Sequence, residues 1–115
     1  MQFTHLATIT AKPGQLRDLL RKTEAELLPL YRELPGFVAY TVAKTGDATA
    51  ICFGIWQTHE QAEQAIKTSD QWMKEGSGTL IDSLHNSVGA LPFLAVTGEL
   101  AAYASPALVA GGRIV

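Results

Sequence analysis

Apolar and polar positions recur with two different periods along this chain, and each change of period marks a new element. Residues 3–11 alternate strictly, so Phe3, His5 and Ile9 share one face of a predicted first strand. Residues 15–33 predict a helix with an inward stripe at Leu16, Leu19, Leu20, Thr23, Leu27, Leu30, Tyr31 and Leu34. Pro29 lies within this helix and predicts a kink or a restarted turn, because proline has no N–H to donate.

The stretch from Pro35 to Trp56 predicts a β-hairpin, in which two apolar runs flank a turn at Gly46 and Asp47. A register symmetrical about this turn groups Val38, Tyr40 and Val42 on one face. It groups Phe37, Ala39 and Thr41 with Cys52, Gly54 and Trp56 on the other. Both faces are largely apolar, so each needs to be covered.

A second helix is predicted to begin after Thr58, because Gln61 follows at the capping-box position. Its inward stripe is Ala62, Ala65, Ile66, Ser69, Trp72 and Met73. Residues 76–79 are a predicted break. Leu80, Ile81, Leu84 and Val88 then predict a shorter helix with Asp82, His85 and Asn86 at its periphery, and residues 92–103 predict the last strand.

The predicted order is therefore β-α-β-β-α-β, the ferredoxin-like split β-α-β pattern of an α+β fold with an antiparallel sheet. We expect one domain over residues 1–104 and an apolar tail over residues 105–115. The two helices cover one face of such a sheet. The other, semi-apolar face predicts a homodimer in which two sheets pack against each other.

Composition narrows the possible partners of this 115-residue chain. Its net charge is −2 with dispersed basic residues, which argues against nucleic acid. The apolar stretch over residues 88–112 is interrupted too often for a membrane helix, and the N-terminus has no signal-peptide pattern, so a cytoplasmic location is expected. The single cysteine, Cys52, lies in a strand pattern and is interpreted as a small buried hydrophobe.

Metal chemistry is also disfavoured. The segment His59-Glu60-Gln61-Ala62-Glu63 begins like a zinc-protease motif but lacks the second histidine, and no third ligand is placed near it. No metal and no cofactor are expected.

Aromatic and imidazole side chains are the remaining candidates for chemistry. His5, His85 and Trp72 are the candidate catalytic residues, since imidazole titrates near neutrality and an indole forms an apolar wall. The candidate ligand pocket is formed by Tyr31, Tyr40, Trp56, Ser69 and Trp72. The alternative is that Trp72 and His5 are ordinary core residues, which the composition of protein interiors favours.

The chain resembles the antibiotic biosynthesis monooxygenase-like domains of the dimeric α+β barrel superfamily. The resemblance rests on Lys12-Pro13-Gly14 before a long helix, on Leu34-Pro35-Gly36-Phe37 at the second strand, on Phe53-Gly54-Ile55-Trp56 in the third, and on Trp72. It implies a homodimer. It also implies oxidation of a small aromatic or quinol substrate by O₂ without flavin or metal, or else a non-catalytic dimeric module that binds a small ligand or a partner.

Two branches of that family differ from this chain at the positions of their functional residues. Haem-degrading members carry Asn, Trp and His where Ala7, Ala65 and about Gly76 stand here, so haem degradation is disfavoured. Quinone-forming members carry an Asn and a Trp on the second helix. Trp72 matches that Trp, but Thr68 occupies the position one turn earlier.

Overall fold

The computed structural model describes residues 1–98, and an antiparallel four-stranded sheet with helices dominates this part of the chain. The strands are β1 (Gln2–Ala11), β2 (Phe37–Lys44), β3 (Thr49–Trp56) and β4 (Ile81–Leu91). The helices are α1 (Leu16–Lys22), α2 (Leu28–Glu33) and α3 (His59–Lys74), with a π-helical turn at Thr23–Leu27 and a 3₁₀ turn at Ser77–Leu80. The strand order β2-β3-β1-β4 confirms the predicted ferredoxin-like α+β fold.

The fourth strand begins earlier than predicted. Residues 81–91, expected to be partly helical, form β4 and pair with β1 along almost its whole length. The helical spacing of Leu80, Leu84 and Val88 was misleading, because the backbone hydrogen bonds offered by the free edge of β1 outweigh a weak local preference. The strand predicted over residues 92–103 is wrong over residues 92–98, where the only strand-like feature is an isolated bridge at Val96. Residues 99–103, the domain end at residue 104 and the predicted tail at 105–115 lie outside the described residues.

The hairpin forms, but its register differs from the prediction by one residue. The last pair is Lys44 with Ala50, and the Thr45 N–H donates to the Thr49 carbonyl, so the loop is centred on Asp47 rather than between Gly46 and Asp47. A shift of one residue changes which side chains of the two strands share a face. Tyr40 consequently lies opposite Gly54, and not on the face of Phe53 as predicted.

The first helical segment restarts at Pro29, which is one of the two outcomes predicted for this residue. The Leu28 N–H donates to the Thr23 carbonyl, five residues back, and the helix restarts as α2 with Pro29 in its first turn. A wider π turn accommodates a proline ring that would otherwise press on the preceding turn. Leu27 before the restart and Tyr31 after it are both buried, whereas Leu30, predicted to face inward, is 43% exposed.

The second helix, α3, begins as its sequence predicted. The Thr58 side chain accepts from the Gln61 N–H, and the Gln61 side chain accepts from the Thr58 N–H, which completes the capping box. The Gln61 side chain also lies against Gly36, where a Cβ would collide with it. The buried face of α3 is formed by Ala62, Ala65, Ser69 and Trp72.

The two faces of the sheet differ in what covers them. The first helical segment, which comprises α1, the π turn and α2, packs with α3 on one face of the sheet. This face carries His5, Ala7 and Ile9, and the core lies there. The other face presents half-buried apolar side chains, Leu6, Ile51, Phe53 and Ile55, at its centre. Around them lie threonines, alanines and serines, and no Asp, Glu, Lys or Arg occupies a paired position of this face in the described strands.

Candidate functional site

A small cavity lies between the sheet and the helices, on the covered face. Its volume is about 30 Å³. One water needs roughly 10–15 Å³ of such space, so the cavity accommodates about two waters. The strands contribute His5, Ala7, Ile9, Tyr40, Cys52, Ile81, Leu84 and Asn86, and the helical segments contribute Leu19, Thr23, Leu27, Tyr31, Ser69, Trp72 and Met73.

His5 is the ionisable group at the centre of this site. It is 2% exposed, and its Nδ1 accepts a hydrogen bond of 2.9 Å from the Trp56 Nε1–H. Because an indole nitrogen can only donate, Nδ1 carries no proton, and the neutral ring must carry its proton on Nε2. Burial lowers the pKa of His5 to about 4, so the ring is uncharged at neutral pH. His5 can therefore donate a hydrogen bond from Nε2, but it is a weak base.

Gly54 makes this arrangement sterically possible. It lies directly opposite His5 on one side and Tyr40 on the other, so the three residues form a row across β1, β3 and β2. A Cβ at Gly54 would collide with the imidazole ring and approach the Trp56 indole nitrogen. With no side chain in between, the rings of His5 and Tyr40 stack above the glycine with centroids 6.1 Å apart and planes inclined by 24°.

Two tyrosines complete an aromatic cluster around His5. The Tyr31 ring lies 5.4 Å from His5 and 5.0 Å from Tyr40, in both cases edge to face. Burial raises the pKa of both phenols above their ordinary range, so both stay neutral hydroxyls. The Tyr40 hydroxyl lies beside the Cys52 thiol, whose pKa is also raised by burial. The cluster is thus entirely uncharged at neutral pH.

Trp72 and Ser69 border the same cavity from α3. Trp72 is 7% exposed, and its Nε1–H donates to a Glu26 carboxylate oxygen at 3.0 Å. Its N–H is therefore committed to the protein, and Trp72 offers the cavity an apolar wall. The Ser69 hydroxyl donates to the Ile66 carbonyl at 2.9 Å, within its own helix.

The predicted site residues are thus divided between two places. His5, Tyr31, Tyr40, Ser69 and Trp72 line one cavity, and Trp56 contacts it through its hydrogen bond to His5. His85 does not join them.

His85 lies on the opposite face of the sheet because residues 81–91 form a strand. It pairs with Thr8 on the open face and is exposed. Its neighbour Asn86 points to the cavity instead, and it was missed because the helical interpretation placed it at the periphery. The alternation of Leu84, Asn86 and Val88 was the signal that would have identified it.

Two further structural results concern other classes of site. The His59 Nδ1 lies 3.0 Å from a Glu63 carboxylate oxygen, one turn apart at the exposed start of α3. Across residues 1–98, no three His, Cys, Asp or Glu side chains lie close enough together to hold a metal ion. None of the helices in those residues combines the length and the apolarity needed to cross a membrane.

The sheet order and the helices on one face give the antibiotic biosynthesis monooxygenase-like fold that the sequence resemblance predicted, and solved structures named as monooxygenases share it. No protein-family model and no curated protein matches the chain. Solved structures that share the fold include a mutant of SnoaB, a cofactor-independent oxygenase from Streptomyces nogalater. It is 14% identical with a TM-score of 0.66, over 81% of this chain and 95% of that one.

Two other solved structures share the fold with this chain at similarly low sequence identity. Rv0793 from Mycobacterium tuberculosis is 14% identical, with a TM-score of 0.66 over 83% of this chain and 99% of that one. The ActVA-Orf6 monooxygenase from Streptomyces coelicolor, solved with the ligand nanaomycin D, is 15% identical. Its TM-score is 0.65 over 80% of this chain and 88% of that one. At these identities the similarity establishes a shared fold and not a shared reaction.

Proposed function

We propose that this protein is a cofactor-independent oxygenase that acts on a small phenol or quinol held beside His5. The observation that carries the proposal is the neutral, buried His5 with its proton on Nε2, surrounded by uncharged aromatic rings. The shared fold with structures named as oxygenases supports the same reaction class.

In this proposal His5 is a hydrogen-bond donor and not the general base. Its Nδ1 is occupied by Trp56, so the ring meets a substrate oxygen through Nε2–H. A donor aimed at a phenolic oxygen stabilises the phenolate more than the phenol, because the charged acceptor forms the stronger bond. An uncharged, largely apolar cavity strengthens that preference, since few other dipoles compete for the charge.

The reaction follows from the chemistry of such an anion with O₂. A naphthohydroquinone supplies four electrons to O₂, and its product has two hydrogens fewer, which leave in the water. One oxygen atom becomes a new ring hydroxyl, and the other leaves as water, so that a hydroxynaphthoquinone is formed. Uncatalysed oxidation of the same compound transfers two electrons and forms naphthoquinone and hydrogen peroxide, so the two products separate the enzymatic from the spontaneous route.

The test is to incubate the protein with naphthohydroquinone in air and to quantify both products. We expect hydroxynaphthoquinone above the protein-free background. His5→Leu should lower its rate by about 10²–10³, the effect of removing one donor to a developing oxyanion. His5→Gln retains an N–H donor but cannot act as a base, so it should keep more activity than His5→Leu. Equal loss in both variants would contradict the donor role.

His85→Leu is the matched control, because it removes an imidazole from the open face of the sheet. Its rate should equal that of the wild type. If the wild-type protein forms no hydroxynaphthoquinone, the oxygenase proposal is wrong for this substrate class.

A second candidate function is a non-catalytic module of the same fold that binds a small ligand. The narrowness of the cavity favours it, because about 30 Å³ holds water and not an aromatic ring without movement. Binding of naphthohydroquinone under nitrogen, without turnover in air, would support this alternative.

We also propose that the protein is a homodimer that pairs through the open face of the sheet. The apolar centre at Leu6, Ile51, Phe53 and Ile55, together with the lack of charged residues at paired positions around it, supports this arrangement. Phe53→Lys should convert the dimer to a monomer, because a charge would be buried without a partner. Sedimentation equilibrium at micromolar concentration that shows only a 12.4 kDa species for the wild type would contradict the dimer.

A further inference from the structure

A groove lies beside the cavity, between the first helical segment and the edge strand β2. It is bounded by Leu20, Thr23, Glu24 and Leu28 on the helical side and by Tyr40, Thr41, Val42 and Lys44 on the strand. Its volume is about 330 Å³, roughly ten times that of the inner cavity. Pockets for small organic ligands span about 300–1,000 Å³, so the groove is large enough for a small ring system and the cavity is not.

The groove and the cavity share two lining residues, Thr23 and Tyr40. These side chains therefore separate the two spaces. The wall between them is thin, and a ligand in the groove lies one side chain away from the surroundings of His5.

The two separating residues are held by different kinds of contact. The Thr23 hydroxyl donates to the Leu19 carbonyl at 2.8 Å, inside the helix that carries it. Tyr40 is only half-buried, lies on an edge strand, and is held by ring contacts with His5 and Tyr31. Rotation of Tyr40 breaks ring contacts and clears the space of a whole ring, whereas rotation of Thr23 breaks a buried hydrogen bond and clears little space.

We propose that the groove is an outer binding site for a neutral, hydroxylated aromatic ligand and that Tyr40 is the gate between this site and His5. This inference rests on the proposed function, since it supplies the route by which a phenol or quinol reaches the cavity. The apolar sides of the groove at Leu20, Leu28 and Val42 fit an aromatic ring. When Tyr40 turns aside, the space of its ring beside His5 and Tyr31 becomes available to the ring of the ligand.

The test measures the association rate of β-naphthol, a fluorescent bicyclic phenol, by stopped-flow fluorescence of the ligand. Val42→Phe fills the groove without touching the inner cavity, and it should slow association by about tenfold or more, as an added barrier of 1.4 kcal/mol would do. Tyr40→Phe keeps the ring but removes the hydroxyl that lies beside the Cys52 thiol. It should speed association about 3- to 10-fold, the effect of losing one modest polar contact. Arg21→Phe adds the same ring on the exposed side of α1 and should leave the rate unchanged.

The outcomes separate the inference from the function it rests on. If β-naphthol binds to the wild type and the rates of Val42→Phe and Tyr40→Phe equal the wild-type rate, the ligand enters elsewhere. The proposal of the groove and the gate is then wrong, while the proposed function stands. If β-naphthol does not bind to the wild type, the outer site and the gate are wrong, and the proposed function is judged by the naphthohydroquinone assay alone. Slower association in Val42→Phe together with faster association in Tyr40→Phe, each with a native circular dichroism spectrum, supports the groove and the gate.

Discussion

Replacing His5 with glutamine should make the stability of the protein less sensitive to acid. In the unfolded chain a histidine titrates near its ordinary pKa of 6.5, whereas burial lowers the pKa of His5 in the folded protein to about 4. Between these two values the unfolded chain binds a proton that the folded protein does not. The contribution of His5 to stability is therefore complete above pH 6.5 and is lost as the pH falls towards 4.

The size of the effect follows from the two pKa values. The linkage relation gives a loss of about 2 kcal/mol at pH 5 and about 3 kcal/mol at pH 4, relative to neutral pH. The measurement is urea unfolding, monitored by tryptophan fluorescence, of the wild type and of His5→Gln at pH 7 and pH 5. Protein concentration is kept equal throughout, so that self-association contributes alike.

Glutamine is the appropriate replacement because its carbonyl can still accept the hydrogen bond of Trp56, while it has no proton to gain in this range. All other ionisable groups are the same in the two proteins, so their contributions cancel in the comparison. We expect the wild type to lose about 2 kcal/mol more than His5→Gln between pH 7 and pH 5. Equal losses would show that the buried ring titrates normally, and the description of His5 as a neutral donor would be refuted.

Three further substitutions test packing, steric fit and capping by chemical denaturation. Leu27→Ala, at a site 4% exposed, should lower stability by about 2–5 kcal/mol, whereas Leu30→Ala, 43% exposed, should have little effect; equal effects would mean that the buried helical face is wrong. Gly54→Ala should cost about 1–3 kcal/mol because its Cβ collides with neighbouring rings, and Gly89→Ala, which meets no atom within 4 Å, should cost nothing. Thr58→Ala should cost about 1 kcal/mol through loss of the cap, and an unchanged midpoint would contradict the capping box.

The order of the first elements could be predicted from the sequence because local signals and tertiary structure agree there. The capping box at Thr58 and the buried stripe of α3 are properties of consecutive residues, and both are found as predicted. The fourth strand is different. Its strand partner is β1, whose paired residues lie 70 to 89 positions earlier in the chain, and no local pattern encodes that distant partner.

The helical interpretation of residues 81–91 also led to an error in the predicted site, because His85 does not lie at the cavity. His5 could be placed correctly because the alternation of the first strand is strict, and Trp72 because the stripe of α3 is regular. His85 and Asn86 are adjacent, and on a strand adjacent residues point to opposite faces. A helical interpretation made both peripheral, so it kept His85 as a candidate and lost Asn86.

The same dependence on register holds for Tyr40, and it connects the loop of the hairpin to the proposed chemistry. A loop centred on Asp47 places Tyr40 beside Gly54, and Gly54 leaves the gap over which the Tyr40 ring reaches His5. With the loop one residue shorter, the same tyrosine would lie on the open face of the sheet, far from the imidazole. The aromatic cluster therefore depends on a loop that contains none of its residues. Shortening the loop by one residue should remove Tyr40 from the cavity while His5, Trp56 and their hydrogen bond remain in place.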